Sequence, residues 1–324
     1  MSDVRAAIRR EYGGIETVSV IERPTPDPGR GEVRLLVGAA GVDAGAWVML
    51  AGSPLIARLF FGLRRPRQPG FGWEVSGTVE AVGDGADLEV GDRVVGQGRG
   101  SFATHCLAKA TSLGRLPDAV GLVEAAPLGI SGVTALQAVR DRGEVRSGQR
   151  VMVIGAGGGV GTFAVQLARH LGARVTGVCS TGKVELVRGL GAEQVVDYTR
   201  DDLASAGPHD VIVDTGGNRS FRELRRCLTP NGRAVVVGSG LEDMGVLGGT
   251  ERTLMFPLQG LRSGQSIHGL VAKANRADLE TLAALVASGE IVPAITARYT
   301  LDQVADALRV LGTGHSAGKA VVIP

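Results

Sequence analysis

Aromatic side chains are scarce in this chain, at 4% of 324 residues, and cysteine occurs three times. Cys106, Cys179 and Cys227 are widely separated and odd in number, which speaks against a disulfide framework and against a zinc knuckle. A reducing cytoplasm is the expected setting. Lysine stands only at Lys109, Lys183, Lys273 and Lys319, so nearly all other basic charge is arginine. The signs are interspersed, the net charge is +2, and the one basic run, Arg64, Arg65 and Arg67, is too short for a nucleic-acid patch. No polyanionic partner is implied. No apolar run approaches the length of a membrane span. Met1 to Arg10 carries charges among its apolar residues and lacks the unbroken apolar core of a signal peptide.

What the chain has in abundance is glycine, 50 residues of it, within a composition that is 44% hydrophobic and 21% charged. That balance belongs to a globular protein with many tight turns. The length exceeds one ordinary hydrophobic core, so two domains are expected. From about Arg5 to Pro117, short β-like runs such as Val33–Val37, Val75–Val82 and Arg93–Gly96 alternate with glycine and proline. Gly83-Asp84-Gly85 and Val90-Gly91-Asp92 mark reversals between them. The pattern predicts a mostly antiparallel, barrel-like module.

After Pro117 the period changes. Ala125–Val139 has helical spacing, and Arg150–Ile154 reads as a buried strand. Val175–Val178, Gln194–Val196, Val211–Val213 and Ala234–Val237 then alternate with helix-like stretches, as in a parallel βαβ sheet. After an irregular stretch come strand-like Val292–Ile295, a helix over Leu301–Leu311 and an apolar end, Ala320–Ile323, which could return to complete the first domain.

The strongest motif runs from Ile154 through Gly155, Ala156, Gly157, Gly158, Gly159 and Val160 to Gly161, after a predicted strand and before a predicted helix over Thr162–Leu171. Ala156, Gly158 and Gly161 match the turn, close-approach and helix-packing positions of a dinucleotide loop. The helix amino terminus would face a pyrophosphate with unpaired N–H groups. The other reading is a glycine-rich turn with no ligand. About twenty residues on, where an acidic side chain would grip the ribose of NAD, none is present. Ser180, Thr181 and Lys183 offer hydroxyls and a cation there, chemistry suited to the 2′-phosphate of NADPH. Lys183 could also be a solvated first-turn residue.

These residues resemble the medium-chain dehydrogenase/reductase superfamily, especially its zinc-free quinone oxidoreductase and enoyl reductase branch. Ala39-Ala40-Gly41-Val42-Asp43, Gly72-Trp73-Glu74-Val75-Ser76-Gly77, Glu80-Ala81-Val82-Gly83, Gly91-Asp92-Arg93-Val94 and the dinucleotide loop follow the family's order across essentially the whole chain. The resemblance implies an α/β protein. It would have a discontinuous GroES-like, β-barrel-like catalytic domain over 1–117 and 256–324, a doubly wound Rossmann domain over 118–255, and a nicotinamide in the cleft between them. It places Lys183 and Tyr198 at the 2′-phosphate and Thr134, Gly159 and Val160 along the cofactor. Gly216, Gly238, Leu270 and Lys319 fall in segments that approach it. Tyr198 could equally be a half-exposed packing residue. A homodimer is also expected.

Zinc alcohol dehydrogenases carry Cys where this chain has Asp43 and His where it has Trp73, and their cysteine-rich loop is missing, so no metal is expected. What remains is hydride transfer by the cofactor. Reduction of an activated C=C bond, in an enone or enoyl group, or of a quinone fits, because the resulting enolate needs a hydrogen-bond donor rather than a Lewis acid. The resembled branch usually has Asn at Asp43. Here that residue is a candidate acid, if desolvation raises its pKa, or simply the cap of a helix beginning near Ala44. Trp47, Phe60, Phe61 and Trp73 concentrate the scarce aromatics in one region; they form either a substrate wall for an apolar small molecule or ordinary packing. Arg58, Arg64 and Arg65 nearby either meet an anionic substrate or are solvated. A catalytically silent NADPH-binding protein is the alternative function.

Overall fold

The computed structural model describes residues 3–237 and 264–324. Gly238 lies outside them. The chain divides into two compact units, Met1–Val133 with Lys273–Pro324, and Thr134–Ala272. The changeovers at 133/134 and 272/273 compare with 117/118 and 255/256 implied by the resemblance. The difference at the first arises because Val123 and Ala126 pack with Ala39, Ile295 and Val321 of the first unit.

In the first unit, β1 (Asp3–Arg9) and β2 (Val18–Pro24) form an antiparallel ribbon. The strands β3 (Glu32–Val42), β4 (Glu74–Val82), β5 (Arg93–Arg99) and β6 (His105–Arg115) are antiparallel neighbours, and β6 pairs back onto β3. That last pairing closes a small barrel and removes its open edges. Val33, Leu35 and Val37 alternate along β3 and meet Val75, Val79, Val94 and Cys106 inside it. The carboxyl-terminal strands extend this sheet past β3: β14 (Lys319–Ile323) runs antiparallel to β3, and β13 (Ile295–Thr300) runs parallel to β14.

The second unit is a six-stranded parallel sheet. Its strands are β7 (Arg150–Ile154), β8 (Arg174–Cys179), β9 (Gln194–Asp197), β10 (His209–Asp214), β11 (Leu228–Val237) and β12 (Ser266–Leu270), in the order β12-β11-β10-β7-β8-β9. From β7 the chain winds outward one way to β9 and then crosses back to β10 to wind the other way. The order therefore reverses between β7 and β10, where open α/β sheets form a crevice beyond the strand ends.

Four sequence expectations need adjusting. The stretch predicted as one helix over Ala125–Val139 is broken at Gly129 into Leu122–Ala125, a 3₁₀ turn at Ala126–Leu128, Ser131–Leu136 and a π-helical turn at Gln137–Arg142. The strand expected at Val292–Ile295 starts at Ile295, because Pro293 has no N–H to give a ladder. The helix after the glycine loop spans Gly159–His170 and begins three residues earlier than its apolar pattern suggests. The irregular stretch before the last strands contains a helix, Arg276–Ala287, capped by Asn275. Among the described residues no single helix is long and apolar enough to cross a membrane.

Candidate active site

The glycine loop leaves β7 through Gly155, whose φ of 77° is the left-handed conformation that glycine tolerates best. The tight turn therefore falls one residue before Ala156, which is buried and whose N–H, like that of Gly155, donates to Val178 O at 3.0 Å. Gly158 is the N-cap of the Gly159–His170 helix. A Cβ on Gly161 would lie 2.1 Å from Gly155 O, so this position admits only glycine while the loop keeps its shape. The amides of Gly159 and Val160, in the first helical turn, have no intrahelical acceptors. Across the sheet reversal, Thr215 N donates to Ile154 O at 2.9 Å, and Gly216 N donates to Asp214 Oδ1 at 3.0 Å. The Gly216 turn is thus tied to the same strand ends as the glycine loop, and Leu270 closes the corresponding end of β12. Thr134 is buried in this unit.

At the end of β8 the structure redistributes the expected phosphate ligands. The Lys183 side chain lies against Gly157, where an added Cβ would meet its Cβ at 2.8 Å, and burial pulls its pKa down. Tyr198 N donates to Cys179 O at 3.1 Å, which sets Tyr198 beside the turn that carries Ser180 and Lys183. The ring is 42% exposed and 5.6 Å from the guanidinium of Arg219. Thr181 is oriented differently from the expectation: its hydroxyl donates to Asp197 Oδ2, and Thr199 donates to Oδ1 from both N and Oγ1. These bonds hold the Asp197 carboxyl below its ordinary value. An acid is therefore present beside the site, on β9 rather than β8, with both oxygens accepting from threonines that keep it ionised.

In the first unit, β3 ends where β14 crosses it, bringing Lys319 to Val42. Lys319 is 2% exposed and Glu74 fully buried, and Nζ donates to Glu74 Oε2 at 2.6 Å, to Val42 O at 2.9 Å and to Ser131 Oγ at 3.0 Å. All three N–H bonds of the ammonium are used inside the protein. Glu74 Oε1 accepts from Ile130 N at 3.0 Å and Ser131 N at 2.6 Å. Asp43 lies beside this pair. Its Oδ1 accepts from Ala46 N at 3.2 Å and caps the helix Ala44–Ala51, whereas buried Oδ2 has no hydrogen-bond partner among the described residues. Burial pushes the Asp43 carboxyl up to about 6; the charge of Glu74 adds to the shift and Lys319 opposes it.

Of the four aromatic candidates, Phe60, Phe61 and Trp73 line one cavity of about 510 Å³. Phe61 and Trp73 meet edge to face at 5.6 Å, and Phe60 is 76% exposed. Trp47 does not line it: its ring covers Gly312, where an added Cβ would lie 2.4 Å from it, and together with Phe61 and Trp73 it packs against the core around Leu50 and Leu308.

Residues 29–118 match the alcohol dehydrogenase GroES-like domain, and residues 190–322 match the zinc-binding dehydrogenase family. A zinc-type alcohol dehydrogenase-like protein of Schizosaccharomyces pombe is 30% identical over 83% of this chain and 80% of its own length. This chain is a medium-chain dehydrogenase/reductase. Within that superfamily it stands in the quinone oxidoreductase-like branch. The chloroplast envelope quinone oxidoreductase homolog of Arabidopsis thaliana is 29% identical over 96% of this chain and 95% of its own. The Escherichia coli quinone oxidoreductase solved with NADPH shares the fold, with a TM-score of 0.83, 24% identity and coverage of 99% of this chain and 100% of that one. The chain is accordingly an NAD(P)H-dependent oxidoreductase, built from a GroES-like and a Rossmann domain.

Where zinc alcohol dehydrogenases carry Cys and His, this chain has Asp43 and Trp73. Asp43 caps a helix, Trp73 packs edge to face with Phe61, and Glu74 is engaged by Lys319 and two amides. Catalytic zinc needs three N, S or O ligands with an open fourth position. Among the described residues no three His, Cys, Asp or Glu side chains come together. Sequence reasoning missed Arg219 and the Glu74–Lys319 pair. The first follows the Gly216-Gly217 turn with no motif of its own. The second joins residues 245 apart in the chain, a separation that no local pattern reports.

Proposed function

We propose that this chain is an NADPH-dependent, zinc-independent reductase of an activated C=C bond, in an enone or enoyl group, or of a quinone. The observation that carries this reading is Asp43: at a position where the resembled zinc enzymes hold a metal ligand, this chain has a buried carboxyl with one oxygen unengaged, and burial pushes its pKa up to about 6. When bound, the reduced nicotinamide supplies the hydride. Asp43 holds the matching proton on Oδ2, the oxygen that its helix-capping bond leaves unengaged, and gives it to the developing enolate or phenolate directly or through one water. Glu74 and Lys319 position the segment around Asp43 and tune its acidity without touching substrate. The apolar body of the substrate rests against Phe60, Phe61 and Trp73. Cytoplasmic location is part of the same reading.

NADPH is favoured over NADH by Ser180, Lys183, Tyr198 and the added cation of Arg219, all able to meet a 2′-phosphate. Asp197, kept ionised by its bonds from Thr181 and Thr199, opposes it, and the cations Lys183 and Arg219 offset that charge. Loss of NADPH absorbance across a panel of enones and quinones tests the reading. Turnover of at least one class supports it; tight NADPH binding with no turnover of any would instead make the chain a silent cofactor-binding protein.

A further inference from the structure

The cavity behind Phe61 and Trp73 is not simply apolar. Four of its lining residues are cations, Arg9, Arg67, Arg99 and Lys109, and none is Asp or Glu. Arg99 is neutralised by Glu32, with Nη2 donating to Oε1 at 2.7 Å. The other three have no carboxylate partner among the described residues. Arg9 is the informative one because it is 1% exposed. Its Nε donates to Met49 O at 2.8 Å and its Nη1 to Pro69 O at 3.4 Å, and its guanidinium lies 5.3 Å from the Phe71 ring. Carbonyls and a ring face stabilise a buried guanidinium only in part; they leave its net charge uncompensated. Burial pulls its pKa down to about 10, so it remains a cation at neutral pH.

A buried charge with no counter-ion is costly unless something of the opposite sign completes it. Here the uncompensated arginine borders a cavity, two more unpaired cations stand on the same walls, and Met49, Phe60, Phe61 and Trp73 supply the apolar remainder. We propose that this cavity takes an amphiphilic anion: an apolar chain or ring against the aromatic wall, ending in a carboxylate or phosphate that meets Arg9, Arg67 and Lys109. Resting on the reading of this wall as the substrate site, the substrate is then an enone, enoyl compound or quinone that carries an acidic group remote from the reacting bond. Arg58, one of the arginines picked out by sequence, is engaged elsewhere, with its guanidinium 4.6 Å from the Tyr12 ring and donating to Gly52 O.

The test is calorimetric titration of the full chain with decanoate, decyl phosphate and methyl decanoate, which share one apolar tail. At least one anion should bind about tenfold more tightly than the neutral ester, the gain expected of charge-assisted hydrogen bonds. Whichever of the two binds more tightly identifies the end group. In the double variant Arg67→Gln, Lys109→Gln, on exposed side chains, the preference should shrink by about threefold, the remainder resting on Arg9, with ester affinity and NADPH affinity unchanged. Equal affinity for anions and ester in the wild type, or a preference untouched by the double variant, overturns the proposal. Turnover separates this from the broader reading. Reduction of neutral enones without any anion preference sinks the anion site alone, and an anion preference without reduction of any enone or quinone sinks the reductase alone.

Discussion

In the proposed reaction the proton comes from a single carboxyl, Asp43. Asp43 loses its proton near 3.8 in an unfolded chain and near 6 in the folded one. Between those values the folded state binds more protons, so the stability associated with this group falls as pH rises through that window. At about 1.36 kcal/mol per pKa unit, the swing is on the order of 3 kcal/mol. Asn is as good an N-cap as Asp, so Asp43→Asn should keep the helix Ala44–Ala51, flatten the pH dependence of stability between pH 4 and 6, and raise Tm at neutral pH. If Asp43 is the proton donor, kcat of the wild type should decline above about pH 6 and Asp43→Asn should lose both that decline and most of its turnover, by about 10²-fold or more. Thermal melts and pH–rate profiles of the two proteins check both outcomes. At the cofactor site, Lys183→Ala and Arg219→Ala should each weaken NADPH by about tenfold and leave NADH nearly unchanged, as titration of both nucleotides would register. Equal losses for both nucleotides would take these cations out of 2′-phosphate recognition.

Elements with a repeating pattern were legible in advance; elements defined by an interruption were not. Arg150–Ile154 reads as a buried strand because Val151, Met152, Val153 and Ile154 are apolar without break, and it occupies that span in the sheet. The Arg276–Ala287 helix was hidden because charged and alanine positions dilute its apolar face, leaving Leu279 and Leu282 as its main anchors. Its start depends on Asn275, whose side chain accepts from Asp278 N at 3.0 Å. Asn275→Ala should therefore cost about 1 kcal/mol, measurable by denaturant unfolding of this unit. The glycine loop offers a sharper case. Gly161→Ala would force a Cβ to 2.1 Å from Gly155 O, so the loop must shift. A stability loss of about 1–3 kcal/mol is expected, with NADPH binding weakened by more than the NADPH-free protein is destabilised. Unchanged nucleotide affinity in that variant would remove the loop from the cofactor site.

At the scale of the whole molecule, the order of the sequence motifs carried both domain types and the loop that joins β7 to its helix. What the sequence could not carry was convergence: Glu74 with Lys319, Arg9 with Met49, and Tyr198 with Arg219 are all long-range meetings set by the folded backbone. Assembly is a further expectation at this scale. β12 is an edge strand of the Rossmann sheet, with one side of its ladder unpaired among the described residues. Such edges are commonly covered by a second copy, so sedimentation at micromolar concentration should give the mass of two chains, and the mass of one would contradict it. The central claim is that this medium-chain dehydrogenase/reductase delivers hydride from NADPH with a protein carboxyl in place of a metal. It is tested most directly by measuring NADPH-dependent reduction of an enone or quinone before and after exhaustive chelation, with metal analysis of the same samples. Turnover that survives in protein free of zinc is the predicted result; turnover that disappears with a stoichiometric zinc and returns when zinc is restored would contradict the account.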